Sequence, residues 1–297
     1  QVIDQNSRLA ESYRAEGIAY YSEKAYPEAI AAFSRSLNNM DDPDKEFKKD
    51  VQFYLAQARM DYGEVDKAIE VYSEILKAGE DEQAFFLRGK AYISMEDYKN
   101  AEKDFQRALE GCEDYNLYIN IYQIYVDHNK AVDGDAYLKM ALELEPQDGE
   151  DCYHRGRIYE YEKNYEAARD ELKTAMEQGY EDAMLLLGRV YLEMEDPASA
   201  RSMYQEYLQK SEQGAKAYNG LAMCDIYDGA YDSALENIAQ GLKENSKEDE
   251  QGLLYNEIVA YEYKRDFATA KEKMKIYLEQ YPEDEAALRE NEFLSTR

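Results

Sequence analysis

The side chains in this 297-residue sequence that could do chemistry are two histidines, three cysteines and 64 carboxylates. His128 and His154 stand far apart, and neither has a second histidine one helical turn away, the spacing that would put two imidazoles on one metal ion. Each therefore reads as a polar helix residue. Cys112, Cys152 and Cys224 are an odd number with no short paired spacing, so they indicate neither a disulfide framework nor a zinc site and are expected as small buried or half-buried fillers. Asp133-Gly134-Asp135 looks like the start of a calcium loop, but the alternating ligands and distal glutamate of that motif are missing. So many carboxylates guarantee accidental Asp/Glu pairs, and spacing alone promotes none of them to general acid and base. No phosphate-cradling glycine loop or nucleophile elbow occurs. The sequence thus predicts no catalytic residues, no metal ligands and no cofactor.

Charge narrows the partners. The 64 acidic residues face 35 basic ones, a formal charge of −29, and such a surface repels phosphate backbones and anionic membranes. The stretch from Ala183 to Leu192 is the longest apolar run, is broken by Arg189, and falls short of the roughly 20 residues that cross a bilayer. No nucleic-acid binding, no membrane contact by this chain itself, and a monomer or weak oligomer are expected. With 44% apolar residues the chain can bury a large core. Scarce glycine (15) and proline (5) suit a mostly helical chain with short turns.

The elements that would carry any site are visible as a repeat. An alanine recurs at Ala29, Ala68, Ala101, Ala168, Ala200, Ala234 and Ala270, with Gly134 in one place, at steps of 39, 33, 33, 34, 32, 34 and 36. Four residues beyond each stands a bulky apolar residue: Phe33, Tyr72, Phe105, Leu138, Leu172, Tyr204, Ile238 and Met274. That offset puts both on one helix face. Twelve residues before each alanine is a small residue, Gly17, Ala56, Gly89, Gly156, Gly188 or Ala222, with Tyr122 and Ile258 as exceptions. Three residues after the small place a tyrosine recurs at Tyr20, Tyr92, Tyr125, Tyr159, Tyr191 and Tyr261. One helix pair with this pattern cannot bury its own apolar face, whereas stacked pairs build a continuous core.

In these residues the chain resembles the tetratricopeptide repeat family. The resemblance covers eight units, at about 10–40, 49–80, 82–113, 115–147, 149–180, 181–213, 215–247 and 251–282. The fourth departs most, with Tyr122 and Gly134 at small-residue places, and a local distortion or hinge is expected there. The longest step contains Asn38-Asn39-Met40-Asp41-Asp42-Pro43-Asp44, and the 36-residue step contains the acidic run from Glu244 to Glu250. Both read as solvated loops between repeats, which leaves 1–297 as a single domain closed by a C-terminal cap over 283–297, with Ala286, Ala287, Phe293 and Leu294 as its apolar residues. The resemblance implies an all-α fold, a right-handed superhelical α-α solenoid of about eight helix-turn-helix repeats.

It also implies a non-enzymatic interaction scaffold whose first helices line a concave groove for a peptide or partner protein. On that orientation the groove would be lined three residues before each small place (Arg14, Phe53, Phe86, Ile119, Tyr153, Leu185, Asn219, Tyr255) and one residue after it (Ile18, Gln57, Lys90, Gln123, Arg157, Arg189, Met223, Val259). The peptide-binding candidates are Lys90, Gln123, Arg157, Arg189, Phe53, Phe86, Tyr153 and Tyr255. The cations would hold ligand carboxylates, or else pair internally with Asp127, Glu160 and Glu193. The Lys- and Asn-rich pattern by which relatives clamp the C-terminus of heat-shock chaperones is not reproduced in any pair of units. The alternatives are a substrate-presenting or regulatory arm of a larger enzyme and an architectural spacer in a cell-envelope assembly. Beginning at Gln1 without an initiator Met, the sequence leans toward an exported or cell-surface lipoprotein with its leader removed, against a cytoplasmic protein.

Overall fold

The computed structural model describes residues 2–40 and 44–297, and among them it is helical with no strand. Contacts divide the chain into two compact units, Gln1–Ala141 and Leu142–Arg297. In the first, α1 (Val2–Ser22) packs on α2 (Tyr26–Asn38), α3 (Lys45–Tyr62) on α4 (Val65–Ala78), α5 (Glu82–Ser94) on α6 (Tyr98–Ala108), and α7 (Tyr115–Asp127) on α8 (Ala131–Leu142). In the second, the pairs are α9 (Gly149–Tyr161) with α10 (Tyr165–Glu177), α11 (Ala183–Glu193) with α12 (Pro197–Lys210), α13 (Ala215–Tyr227) with α14 (Tyr231–Lys243), and α15 (Lys247–Tyr263) with α16 (Phe267–Gln280). A last helix, α17 (Glu285–Ser295), packs on α16. These successive pairs make an all-α solenoid. Residues 41–43, inside the first polar insertion, lie outside the described residues; Asp44 beyond them caps α3 by accepting from the Glu46 backbone N–H at 3.0 Å.

The small and bulky places of the repeat meet across each pair. A Cβ added to Gly89 would come within 2.7 Å of the Phe105 ring, one on Gly156 within 2.6 Å of Leu172, and one on Gly188 within 2.6 Å of the Tyr204 ring. Phe33 lies the same way against Gly17. The recurring alanines sit deep in the interface, and Ala29, Ala68, Ala101, Ala168, Ala200, Ala234 and Ala270 are all fully buried. Each lies three residues inside its helix, not at its opening, because Tyr26, Val65, Tyr98, Tyr165, Pro197, Tyr231 and Phe267 take the first position.

A second regularity was hidden in the sequence. Seven residues after each small place the backbone turns left-handed: Lys24, Gly63, Glu96, Asn129, Lys163, Glu195, Gly229 and Arg265 all have φ between 57° and 88°. The next residue's N–H then reaches back to the carbonyl of the tyrosine place, as from Ala25 to Tyr20 (2.9 Å), Asn164 to Tyr159 (2.8 Å) and Asp266 to Tyr261 (2.9 Å). This closes the first helix by satisfying a carbonyl that would otherwise lack a donor. Asp97, Asn164, Asp196 and Asp266 then cap the following helix through their side chains.

The fourth repeat exchanges sizes between its helices. Tyr122 fills the small place of α7, and Gly134 takes the alanine place of α8, where a Cβ would meet Tyr125 at 3.0 Å and Tyr122 at 3.1 Å. The expected distortion is thus a swap of bulk between facing positions. Tyr125 and Tyr137 stack at 5.6 Å, and Phe105 meets both edge-on. In the cap helix α17, Ala287 and Leu294 are buried, but Phe293 is exposed, with the Arg297 guanidinium 4.7 Å from its ring centroid.

Two outcomes follow from this packing. Gly89→Ala, which drives a methyl into the Phe105 ring, should cost about 1–3 kcal/mol in a denaturant melt, with Phe105→Leu in the same chain recovering part of it. The other concerns Glu262 on α15, whose pKa is pushed up to about 7 from 4.5 by burial and by the Glu290 carboxyl of α17. The folded chain holds this proton more tightly than the unfolded chain does. Its contribution is complete below the ordinary carboxylate range and is lost as pH rises through about 7. Glu262→Gln should accordingly raise the melting temperature more at pH 8 than at pH 5.

Candidate functional site

The two expected lining places are four residues apart, so each first helix presents them on one face. In the second unit Tyr153, Leu185, Arg189, Asn219 and Met223 do come together, around a recess of about 780 Å³. Leu186 from α11, Tyr204 and Tyr207 from α12, and Gly214, Ala215, Lys216 and Gly220 at and within α13 complete the walls on that side. Opposite them stand Glu244, Ser246, Glu248, Asp249 and Gly252. The recess is deep because glycines form part of it. A Cβ on Gly220 would collide with the Tyr204 ring, which therefore lies between Gly188 and Gly220. Met223 is 42% exposed, a large apolar side chain left open to the recess.

Each cation near the recess has an internal partner. Arg189 donates from Nε and Nη2 to the two Glu160 oxygens, at 2.5 and 2.6 Å. Lys216 Nζ donates to Glu248 Oε1 at 3.0 Å, and that bond, with the fields of Asp249, Glu248 and Asp182, raises its pKa above the ordinary lysine value. The Arg157 guanidinium lies 5.9 Å from the Tyr153 ring centroid, with Nη1 at 3.3 Å from His154 Nδ1. Burial pushes the Tyr153 phenol up while Arg157, Arg189 and Lys216 pull against it. Tyr180 packs on the Tyr153 ring at 4.9 Å, and Asn256 Nδ2 donates to Asn219 Oδ1 at 2.7 Å.

The other candidates are placed elsewhere. Tyr255, in the second unit, packs on Tyr277 at 5.8 Å and does not line the recess. In the first unit Phe53 packs on Tyr72 at 6.4 Å and Phe86 on Phe105 at 6.2 Å, both half-buried. Lys90 is exposed, and Gln123 donates to Asp127 at 2.9 Å. Ile119 is buried and forms no groove wall. His154 is a buried residue of α9, its ring T-shaped against that of Tyr153 at 5.4 Å. Glu193, expected as a groove carboxylate, accepts from the Tyr165 hydroxyl at 3.2 Å.

The acidic run from Glu244 to Glu250, expected as a solvated loop, is a loop only over residues 244–246; from Lys247 it is the first turn of α15, and the two together supply a wall of the recess. Its one sequence signal was the lengthened 36-residue step. Tyr204, Tyr207 and Lys216 carried none, because they belong to a second helix or to a helix start rather than to the face expected to line the groove.

Comparison with known proteins agrees with this architecture. A family model described as tetratricopeptide repeat matches residues 82–114, and another of the same description matches 153–215 and 185–250. A tetratricopeptide repeat protein from Parabacteroides merdae is 12% identical, aligns over 84% of this chain and 99% of its own, and superposes with a TM-score of 0.53. A chain of the Cut9–Hcn1 hetero-tetramer of the APC/C is 15% identical, with 91% of this chain and 52% of the other covered and a TM-score of 0.51. At these identities the likeness concerns the fold. No curated protein sequence matches. Residues 82–114 and 153–250 of the chain are thus tetratricopeptide repeats.

The pairing of Arg189 gives a direct test. Arg189→Glu would leave the largely buried Glu160 carboxylate facing a like charge, and should cost about 1–2 kcal/mol of stability. Adding Glu160→Arg should restore most of the loss in a thermal melt.

Proposed function

We propose that this chain is a non-enzymatic interaction scaffold and that the recess of its second unit takes a short segment of a partner protein. Tetratricopeptide repeats bind peptides or proteins, which supports the general assignment. The observation that carries the finer one is the recess itself. Its volume of about 780 Å³ is that of a site for a few side chains, and its walls, drawn from first helices, α12 and the junction before α15, include Met223 and the half-buried Tyr153 and Leu185. Apolar area there is in excess of what the fold needs, while hydroxyls and carboxylates at the rim can fix the direction of an extended backbone.

The expected partner is protein, with neither nucleic acid nor membrane engaged by this chain, in keeping with its charge of −29. Panning a displayed library of random peptides against the purified protein tests the proposal. Selected peptides should lose about tenfold or more in affinity on Tyr153→Ala and on Met223→Gln. Met223 is exposed enough that its change leaves the melting temperature nearly untouched. Peptides held equally by both variants would place the binding site elsewhere.

A further inference from the structure

The charges that line the recess say what kind of segment it takes. Two cations and four carboxylates face it: Arg189 and Lys216 against Asp182, Glu244, Glu248 and Asp249. Arg189 is already neutralised by Glu160, which is not part of the wall. Lys216 is committed to Glu248. The three remaining carboxylates form no ion pair among the described residues, though Lys216 lies in the field of Asp182 and Asp249. Asp249 accepts from the Ser246 hydroxyl at 2.6 Å, Asp182 accepts from the Tyr207 hydroxyl at 3.5 Å, and Glu244 accepts no side-chain bond. From these observations, and resting on the peptide-binding role of the recess proposed above, we infer that the partner segment is cationic: an arginine or lysine beside an apolar residue, the charged head among Asp182, Glu244 and Asp249 and the apolar side chain on Tyr153, Leu185 and Met223.

Three of the four carboxylates also suit a helix N-terminus, Asp182 before α11 and Glu248 and Asp249 in the first turn of α15, but two charges have no such role. Glu244 directly follows the last residue of α14, at the negative end of that helix dipole, where an acid is unfavourable. Lys216 is the second residue of α13, at the positive end, where a cation is unfavourable. Neither charge serves its own helix. Lys216 instead stands among Glu248, Asp249 and Asp182, the position a ligand cation would take. It acts as a resident counter-ion. Its partner Glu248 has a side chain 80% exposed, so their pairing is weak and readily exchanged. The net charge of the chain adds a long-range attraction for a basic segment and repels an acidic one.

The experiment compares two fluorescein-labelled probes, Arg-Leu-Arg-Leu-Gly and Glu-Leu-Glu-Leu-Gly, by fluorescence anisotropy, together with the sequences selected from the random library. The arginine probe should bind and weaken as salt rises, the glutamate probe should not bind, and the library should return basic-apolar peptides. Asp182→Asn with Glu244→Gln should weaken the arginine probe by about threefold to tenfold. Lys216→Ala should tighten it by a similar factor, a gain that loss of a merely structural residue would not give. The inference is overturned if the glutamate probe binds as well as the arginine probe, or if Lys216→Ala weakens the latter. Library peptides without basic residues that still depend on Tyr153 and Met223 would overturn the inference and leave the recess as a peptide site. Selection of nothing that depends on those two residues, with no binding of the arginine probe, would remove both.

Discussion

Four helix pairs in this chain are held by a bulky side chain pressed against a glycine with no room for a Cβ. Gly17, Gly89, Gly156 and Gly188 receive Phe33, Phe105, Leu172 and Tyr204, and in the second and seventh repeats alanine faces tyrosine or isoleucine. The contact lets two helix backbones approach closely enough that the fully buried alanine of the second helix also packs. Everything else hangs on that approach.

The constraint is on total volume across the pair rather than on residue identity. The fourth repeat makes this plain: Tyr122 occupies the small place, and Gly134 across from it supplies the missing space. The recess obeys the same rule in reverse. Tyr204 is held between Gly188 and Gly220, and with that ring turned inward between the helices the surface beside it stays open. Stacking a ring between two glycines thus shapes both the core and the cavity.

Charge is handled locally in a chain that carries far more acid than base. Cations at the recess are spent on neighbouring carboxylates, Arg189 on Glu160 and Lys216 on Glu248. In the core Arg88 is held the same way by Asp104, at 2.7 and 2.8 Å. The surplus that remains at the recess is acidic. Of the three cations at equivalent places in the sequence, Arg189 is thus neutralised within the fold.

Helix pairs, their order and their packing positions were legible in the sequence, because a period of 32 to 39 residues with small, aromatic and alanine places at fixed offsets admits one way of burying an apolar face. Of the expected groove residues, Tyr153 and Arg189 share a recess, while Tyr255 turns to Tyr277. The same register placed all three on equivalent faces, and periodicity has no means of separating them. The left-handed turns were invisible, since Lys24, Glu96, Lys163, Glu195 and Arg265 take a conformation that residue type alone would assign to glycine. The sequence by itself determined the repeat and its core, where one face must be buried and chemistry is repetitive. Only the tertiary structure decided the recess and the state of its charges. A cavity depends on which side chains from separate helices and the junctions between them fill the same space, and a charge depends on the partner that the fold brings within reach.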